Sequence, residues 1–330
     1  IFQGIKDIGG NPFPFALVVV LLASTLLLYA TSRFFFGQNS HAMMAKSTSQ
    51  GGPRKASWFV GWLCTSVFLI VTLLAILPHI GVVMVAFSSD WYHSILPNGW
   101  TLSHFESALG HNLTLSSIQN SLKYASLATV LDLILGVAIA YVVTRTQLPG
   151  RQILDAMAML PLAVPGLVLA FGYLAMTQEG QLFAALNPTI DPLVILVIAY
   201  SVRRLPYVVR SAAAGFQQTS ITLEEAAHNL VCRLLLENKK ITLPLIAANL
   251  LAGGLLAFSF AMLEVSDSLI LAQKQQDFPI TKAIYELFQL LGEGRYIASA
   301  FGVWTMIFLA ITLTGASLLL GKKLGSLFRA

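Results

Sequence analysis

The sequence predicts an all-α polytopic membrane protein of about seven transmembrane helices. Three observations predict it. The 330 residues are 56% hydrophobic and only 11% charged, with a mean hydropathy of +0.74, whereas a soluble domain carries about a quarter charged residues. The apolar residues fall in blocks long enough to span a bilayer, which takes roughly 20 residues as a helix. Those blocks do not alternate in polarity as barrel strands do: Leu131 to Val143 and Pro192 to Tyr200 are apolar at nearly every position.

The candidate helices cover about 13–32, 58–87, 118–144, 153–176, 191–210, 243–272 and 296–321. Two of them exceed a single crossing or contain residues that interrupt helices, such as Pro78 and the pair Gly253 and Gly254. Small residues of that kind also allow close helix packing.

Lysine and arginine favour cytoplasmic loops. With the segment after the first helix placed inside, the inner basic residues are Arg33, Lys46, Arg54, Lys55, Arg145, Arg151, Arg203, Arg204, Arg210, Arg233, Lys239, Lys240, Lys322, Lys323 and Arg329. Lys6, Lys123, Lys274, Lys282 and Arg295 fall outside. Fifteen against five predicts an outside N-terminus and a cytoplasmic C-terminus. The net charge of +5 therefore reports topology. Nucleic-acid binding needs positive charge gathered on one polar face, and none is expected here.

The chain starts at Ile1, and residues 1–12 lack the positive region and cleavage site of a secretory signal. We read residues 1–37 as a leading transmembrane helix, the end of a preceding half in a longer protein. Residues 38–57, rich in Ser, Gly, Lys and Arg, read as a cytoplasmic linker, and 58–325 as a six-helix domain. Cys64 lies in a span and Cys232 in a long cytoplasmic loop, so both read as packing residues.

That loop, 211–242, contains an amphipathic helix. Thr222 followed three residues later by Glu225 forms a capping-box pattern. Glu224 and Glu225 in the first turn and Lys239 and Lys240 at the far end suit the helix dipole. From the residues alone it is either a helix lying on the membrane or a docking helix for a cytoplasmic partner.

Glu225, Ala226 and Ala227, followed at the right interval by Ile241, Thr242, Leu243 and Pro244, resemble the EAA loop of permease subunits of binding-protein-dependent ABC importers. That pattern reads Glu-Ala-Ala, three residues, Gly, nine residues, Ile-x-Leu-Pro. The likeness takes in Arg204 to Arg210, Leu160 to Gly166 and Asn120-Ser121-Leu122, and covers about 58–325. It implies a six-helix permease core in a bacterial inner membrane, with Glu224, Glu225, Ala226, Ala227, Val231, Ile241, Leu243 and Pro244 coupling it to two copies of an ATP-binding subunit. It also implies a periplasmic or extracellular solute-binding protein and a second permease half or a homodimer partner. Val231 departs from the pattern: glycine there permits positive φ, and a β-branched residue does not.

The chain lacks a phosphate-binding G-x-x-x-x-G-K-[ST] loop, so no cofactor is expected on it and ATP is expected to be used by the partner. No His, Cys or Ser arrangement has catalytic spacing, so the chain is expected to be a transport subunit and not an enzyme. His93, His104 and His111 match no compact metal motif, and no metal is expected.

Ionisable residues inside a membrane tend to face a cavity or a partner. Glu264 and Asp267 share a helical face and read either as pathway or gate residues or as caps of a broken helix; Asp132 is a further candidate. Pro161 and Pro165 read either as a break that exposes backbone at mid-membrane or as kinks. Leu160 to Leu174 and Glu264 with its flanking serine resemble the iron(III)-type permeases most, many of which are tandem fusions, so ferric iron is the expected solute. Thiamine, phosphonate and polyamine permeases are close behind, and a secondary transporter driven by an ion gradient is the competing class.

Overall fold

A computed structural model describes residues 13–36, 57–92, 94–220 and 243–327. Every regular element among them is helical; one isolated bridge pairs Ser88 with Trp100. The helices are α1 (Phe13–Phe36), α2 (Trp58–Phe87), α3 (Ser103–Gly110), α4 (Asn112–Arg145), α5 (Arg151–Met159), α6 (Gly166–Met176), α7 (Leu193–Gln218), α8 (Ala247–Met262), α9 (Ser266–Leu271), α10 (Ile280–Phe288) and α11 (Gly294–Leu327).

Among the described residues, α2, α4 and residues 294–318 of α11 are each long and apolar enough to cross a membrane. The predicted span at 153–176 is two helices with a short 3-10 turn, Leu160–Leu162, bent by 104°. Pro165 caps α6; lacking an N–H and restricting the residue before it, it ends one helix and starts the next. The predicted span at 243–272 also divides, because α8 stops at Met262 and α9 starts at Ser266. α7 continues to Gln218 and carries Arg203, Arg204 and Arg210 inside the helix.

The packing centre is the α4, α7 and α8 trio, with α10 against α4 and α11 against α2 and α3. Small residues permit it. Ala125, Ala128, Ala199, Ala212 and Ala257 are fully buried. A methyl group on Gly136 of α4 would lie 2.7 Å from Val208 Cγ1, and one on Gly253 of α8 would lie 2.7 Å from Ser211 Cβ. Gly254 faces Leu133 at an ordinary 3.5 Å. In a membrane, where no hydrophobic force draws helices together, such close backbone approach supplies the packing energy. The most apolar stretch of α2 has none of its residues buried within the chain, as expected of a surface covered by lipid or another chain.

At one end of this core, α4 grips the segment between α9 and α10. Asn120 Nδ2 donates to the carbonyls of Gln276 (2.7 Å) and Phe278 (3.2 Å), Tyr124 donates to that of Asp277 (3.2 Å), and Ser121 Oγ accepts from Ile280 N (2.8 Å). Near the same end, His104 is buried, stacks on Tyr296 and lies 3.0 Å from the Ser88 carbonyl. His111 accepts from Leu113 N (3.2 Å) and so caps α4. Both histidines thus have structural partners; His93 lies outside the described residues.

Candidate functional site

Arg203 and Arg204 sit halfway along α7, where an unpaired charge in a bilayer costs at least about 2.5 kcal/mol. Consecutive residues on a helix point about 100° apart, so the two guanidiniums reach the same acid from different sides. That acid is Glu264, in the three-residue break between α8 and α9, with a relative exposure of 3%. Its Oε2 pairs with Arg204 Nη2 and lies 3.3 Å from Arg203 Nε. Its Oε1 accepts the backbone N–H of Ser266 at 3.1 Å, capping α9. Of the alternatives left open for Glu264, the structure shows it at a helix break, where its carboxylate also pairs with two buried arginines.

The break is held from several directions. Ser268 Oγ and Thr281 Oγ1 both donate to the Glu264 carbonyl, at 2.7 and 2.6 Å. Arg204 also donates to the Phe260 carbonyl at 3.0 Å and lies over the Phe260 ring, which stacks on Tyr207. Asp267, fully buried on α9, lies 3.9 Å from Arg203 Nε, and neither of its carboxylate oxygens has a hydrogen bond among the described residues.

The second break joins this cluster. A methyl group on Gly166, the first residue of α6, would strike Arg203 Nη1 and lie 2.7 Å from Ser266 Oγ. Gly166, the first residue of α6, thus faces both Arg203 and the first residue of α9. Pro161 lies in the 3-10 turn and Pro165 at the start of α6, so the prolines make the bend while the glycine admits the guanidinium.

One turn before the arginines along α7, Ser201 Oγ donates to Asp132 Oδ1 at 2.6 Å across the α4–α7 interface. Asp132, Glu264 and Asp267 are brought to the same helix, α7, from α4 and from the α8–α9 break. Sequence reading found the three acids but missed Arg203, Arg204, Ser266 and Gly166 as their neighbours. Two adjacent arginines inside an apolar block were a usable signal, because such residues need partners there.

Glu224, Glu225, Ala226, Ala227, Val231 and Ile241 of the loop lie outside the described residues. Leu243 and Pro244 form a short helical turn, Leu243–Leu245, leading into α8. Both ends of the loop are anchored. Arg145 Nη2 donates to the carbonyls of Phe216 (2.8 Å) and Thr219 (3.1 Å) where the chain departs. Ile246, fully buried where it returns, packs against Gly215, on which a methyl group would come within 2.9 Å of Ile246 Cβ.

No family model matches the chain. Its curated relatives include permease proteins of several transport systems. A probable molybdenum ABC transporter permease protein of Haloferax volcanii is 31% identical over 173 residues, covering 52% of this chain and 64% of that protein. A ferric transport system permease protein of Actinobacillus pleuropneumoniae is 30% identical over 50% of this chain and 24% of its own length. The sulfate transport system permease protein of Salmonella typhimurium is 26% identical over 62% of this chain and 72% of its own. The chain thus spans less than two thirds of the first relative and about a quarter of the second. Among solved structures, a bacterial ABC transporter that imports alginate shares the fold, with a TM-score of 0.63 and 16% identity, over 79% of this chain and 96% of that one. The same kind of transporter is also solved with an alginate pentasaccharide-bound periplasmic protein, at a TM-score of 0.61.

Proposed function

We propose that the chain is the permease subunit of a binding-protein-dependent ABC importer, held in the cell membrane with its N-terminus outside and its C-terminus in the cytoplasm. The observation that carries this reading is that relatives serving different solutes are all permease proteins. An ATP-hydrolysing subunit docks on the loop around Glu225, and closure of two such subunits reaches the membrane through the anchors at Arg145–Thr219 and Gly215–Ile246. A binding protein delivers solute at the opposite face, as a periplasmic protein does for the alginate importer. A second permease half completes the pathway.

Glu264, Asp267, Pro161 and Pro165 belong on this reading to the pathway gate, with Arg203 between the two helix breaks. Ferric iron is the solute supported by the likeness of Leu160 to Leu174 to iron-type permeases and by the ferric relative. One feature favours a second reading, a small oxyanion: the positive charge and N–H donors of Arg203 and Arg204 attract an anion and repel a bare cation. The molybdenum and sulfate relatives support it.

Co-purification tests the permease reading. The wild-type chain is expected to retain an ATPase subunit through detergent extraction, and Glu225→Arg to lose it. A wild-type chain that drives uptake without ATP and stops when the ion gradient is collapsed is instead a secondary transporter.

A further inference from the structure

The Glu264 carboxylate sits in a set of donors suited to a free anion. Arg204 Nη2 pairs with one oxygen, Arg203 Nε lies 3.3 Å from the same oxygen, and the Ser266 amide donates to the other. Guanidinium forks with a backbone amide are the usual cradle of sulfate, phosphate and carboxylate groups. Glu264 belongs to no helix: it lies in the three-residue break between α8 and α9, where Ser268 and Thr281 hold its carbonyl and its side chain can rotate about its own bonds without unwinding either helix. The arginines, by contrast, are fixed to the continuous α7.

The network around them is only partly satisfied. Arg203 Nη1 and both Asp267 oxygens are buried without a hydrogen bond among the described residues, although Arg203 Nε and Asp267 Oδ2 are 3.9 Å apart. A buried network left in that condition is costly, and such groups in a folded protein call for a functional account. Arg203 Nε and Nη1 and Arg204 Nε therefore have donor capacity that Glu264 does not fill.

We propose that Glu264 is a tethered stand-in for a small oxyanion. With the site empty, its carboxylate neutralises Arg203 and Arg204, which would otherwise be charges stranded in the membrane interior. An anion with two or more acceptor oxygens takes its place. Displacement frees the Glu264 carboxylate from both arginines, while Arg204 keeps its bond to the Phe260 carbonyl. That the anion is cargo rests on the importer reading; that the site binds an anion does not.

The test uses the full chain in phosphatidylcholine nanodiscs with radiolabelled sulfate as probe and no ATPase subunit. Glu264→Gln removes the competing charge and keeps the shape, so sulfate is expected to bind about tenfold tighter or more than to wild type. The gain is expected to vanish in Glu264→Gln/Arg203→Gln. Equal sulfate affinity in wild type and Glu264→Gln, or a gain that survives loss of Arg203, overturns the proposal. If Glu264→Gln does not give a monodisperse particle, the comparison moves to wild type against Arg203→Gln. Sulfate is then expected to raise the melting temperature of wild type alone, relative to chloride at equal ionic strength, and no difference between the two chains overturns the proposal. Failure of the importer reading looks different: sulfate binding persists while no ATPase subunit co-purifies.

Discussion

Ser201 donates a 2.6 Å hydrogen bond to Asp132 across 69 positions of sequence, with both side chains essentially without solvent contact. The bond joins the two helices at the centre of the packing, α4 and α7. The other Asp132 oxygen has no hydrogen bond among the described residues, so Ser201 is the acid's one hydrogen-bonding side chain there. Ser201→Ala is expected to destabilise the chain by about 1–3 kcal/mol, the cost of leaving a buried acceptor unmet. Ser201→Thr, which keeps the hydroxyl, should recover most of that loss. Denaturant titration of the detergent-solubilised chain reads the difference.

Removing Arg204 strands part of the Glu264 charge. Side-chain exposures of 11% and 2% for this pair make it a buried ion pair, and loss of one partner from such a pair costs about 3–5 kcal/mol. Arg204→Ala is therefore expected to lower the melting temperature markedly. Arg204→Ala/Glu264→Gln should be more stable than Arg204→Ala alone. A double variant no better than the single would show that the charge is compensated elsewhere.

Gly136 is a contact point between backbones. With a methyl group 2.7 Å from Val208 Cγ1 and 3.3 Å from the Val208 backbone carbon, Gly136→Ala is expected to cost about 1–3 kcal/mol through overpacking. Part of that strain is against a side chain that can be cut back. Gly136→Ala/Val208→Ala should thus be less destabilised than the sum of its parts, as a double-mutant cycle measures.

The Asn120 clamp predicts a local effect. Asn120→Ala removes both donors to the Gln276 and Phe278 carbonyls while leaving the α4–α7 interface untouched. Hydrogen exchange is expected to rise in the segment from Lys274 to Ile280, with little change in α7. Uniform acceleration across the chain would assign Asn120 to global stability instead.

How far these features were legible in the sequence depends on the range of the interaction that creates each. Helix positions follow from local apolar composition, and the positions of α2, α4 and α11 could be read from it. Ends were less legible: α4 begins at Asn112 and not near 118 because His111 caps it, a side-chain contact with no hydropathy signal. Pro161 and Pro165 marked the place of one break, but its 104° angle depends on what packs around it. The α8–α9 break has no proline and was legible only as one of two readings of Glu264 and Asp267; it is held by Arg204, Ser268 and Thr281. Arg203 and Arg204 were counted only as inner charges within the 191–210 span, because the partner that explains them lies some 60 residues away. The short helices α3 and α10 fall below the length that an apolar-block reading detects.

The two interrupted helices, α5–α6 and α8–α9, come together beside the unbroken α7. Gly166, at the start of α6, faces both Arg203 of α7 and Ser266 of α9, and Arg203 in turn lies 3.3 Å from Glu264 in the other break. One added methyl group at position 166 would press on both at once, so the two breaks form a single packed unit.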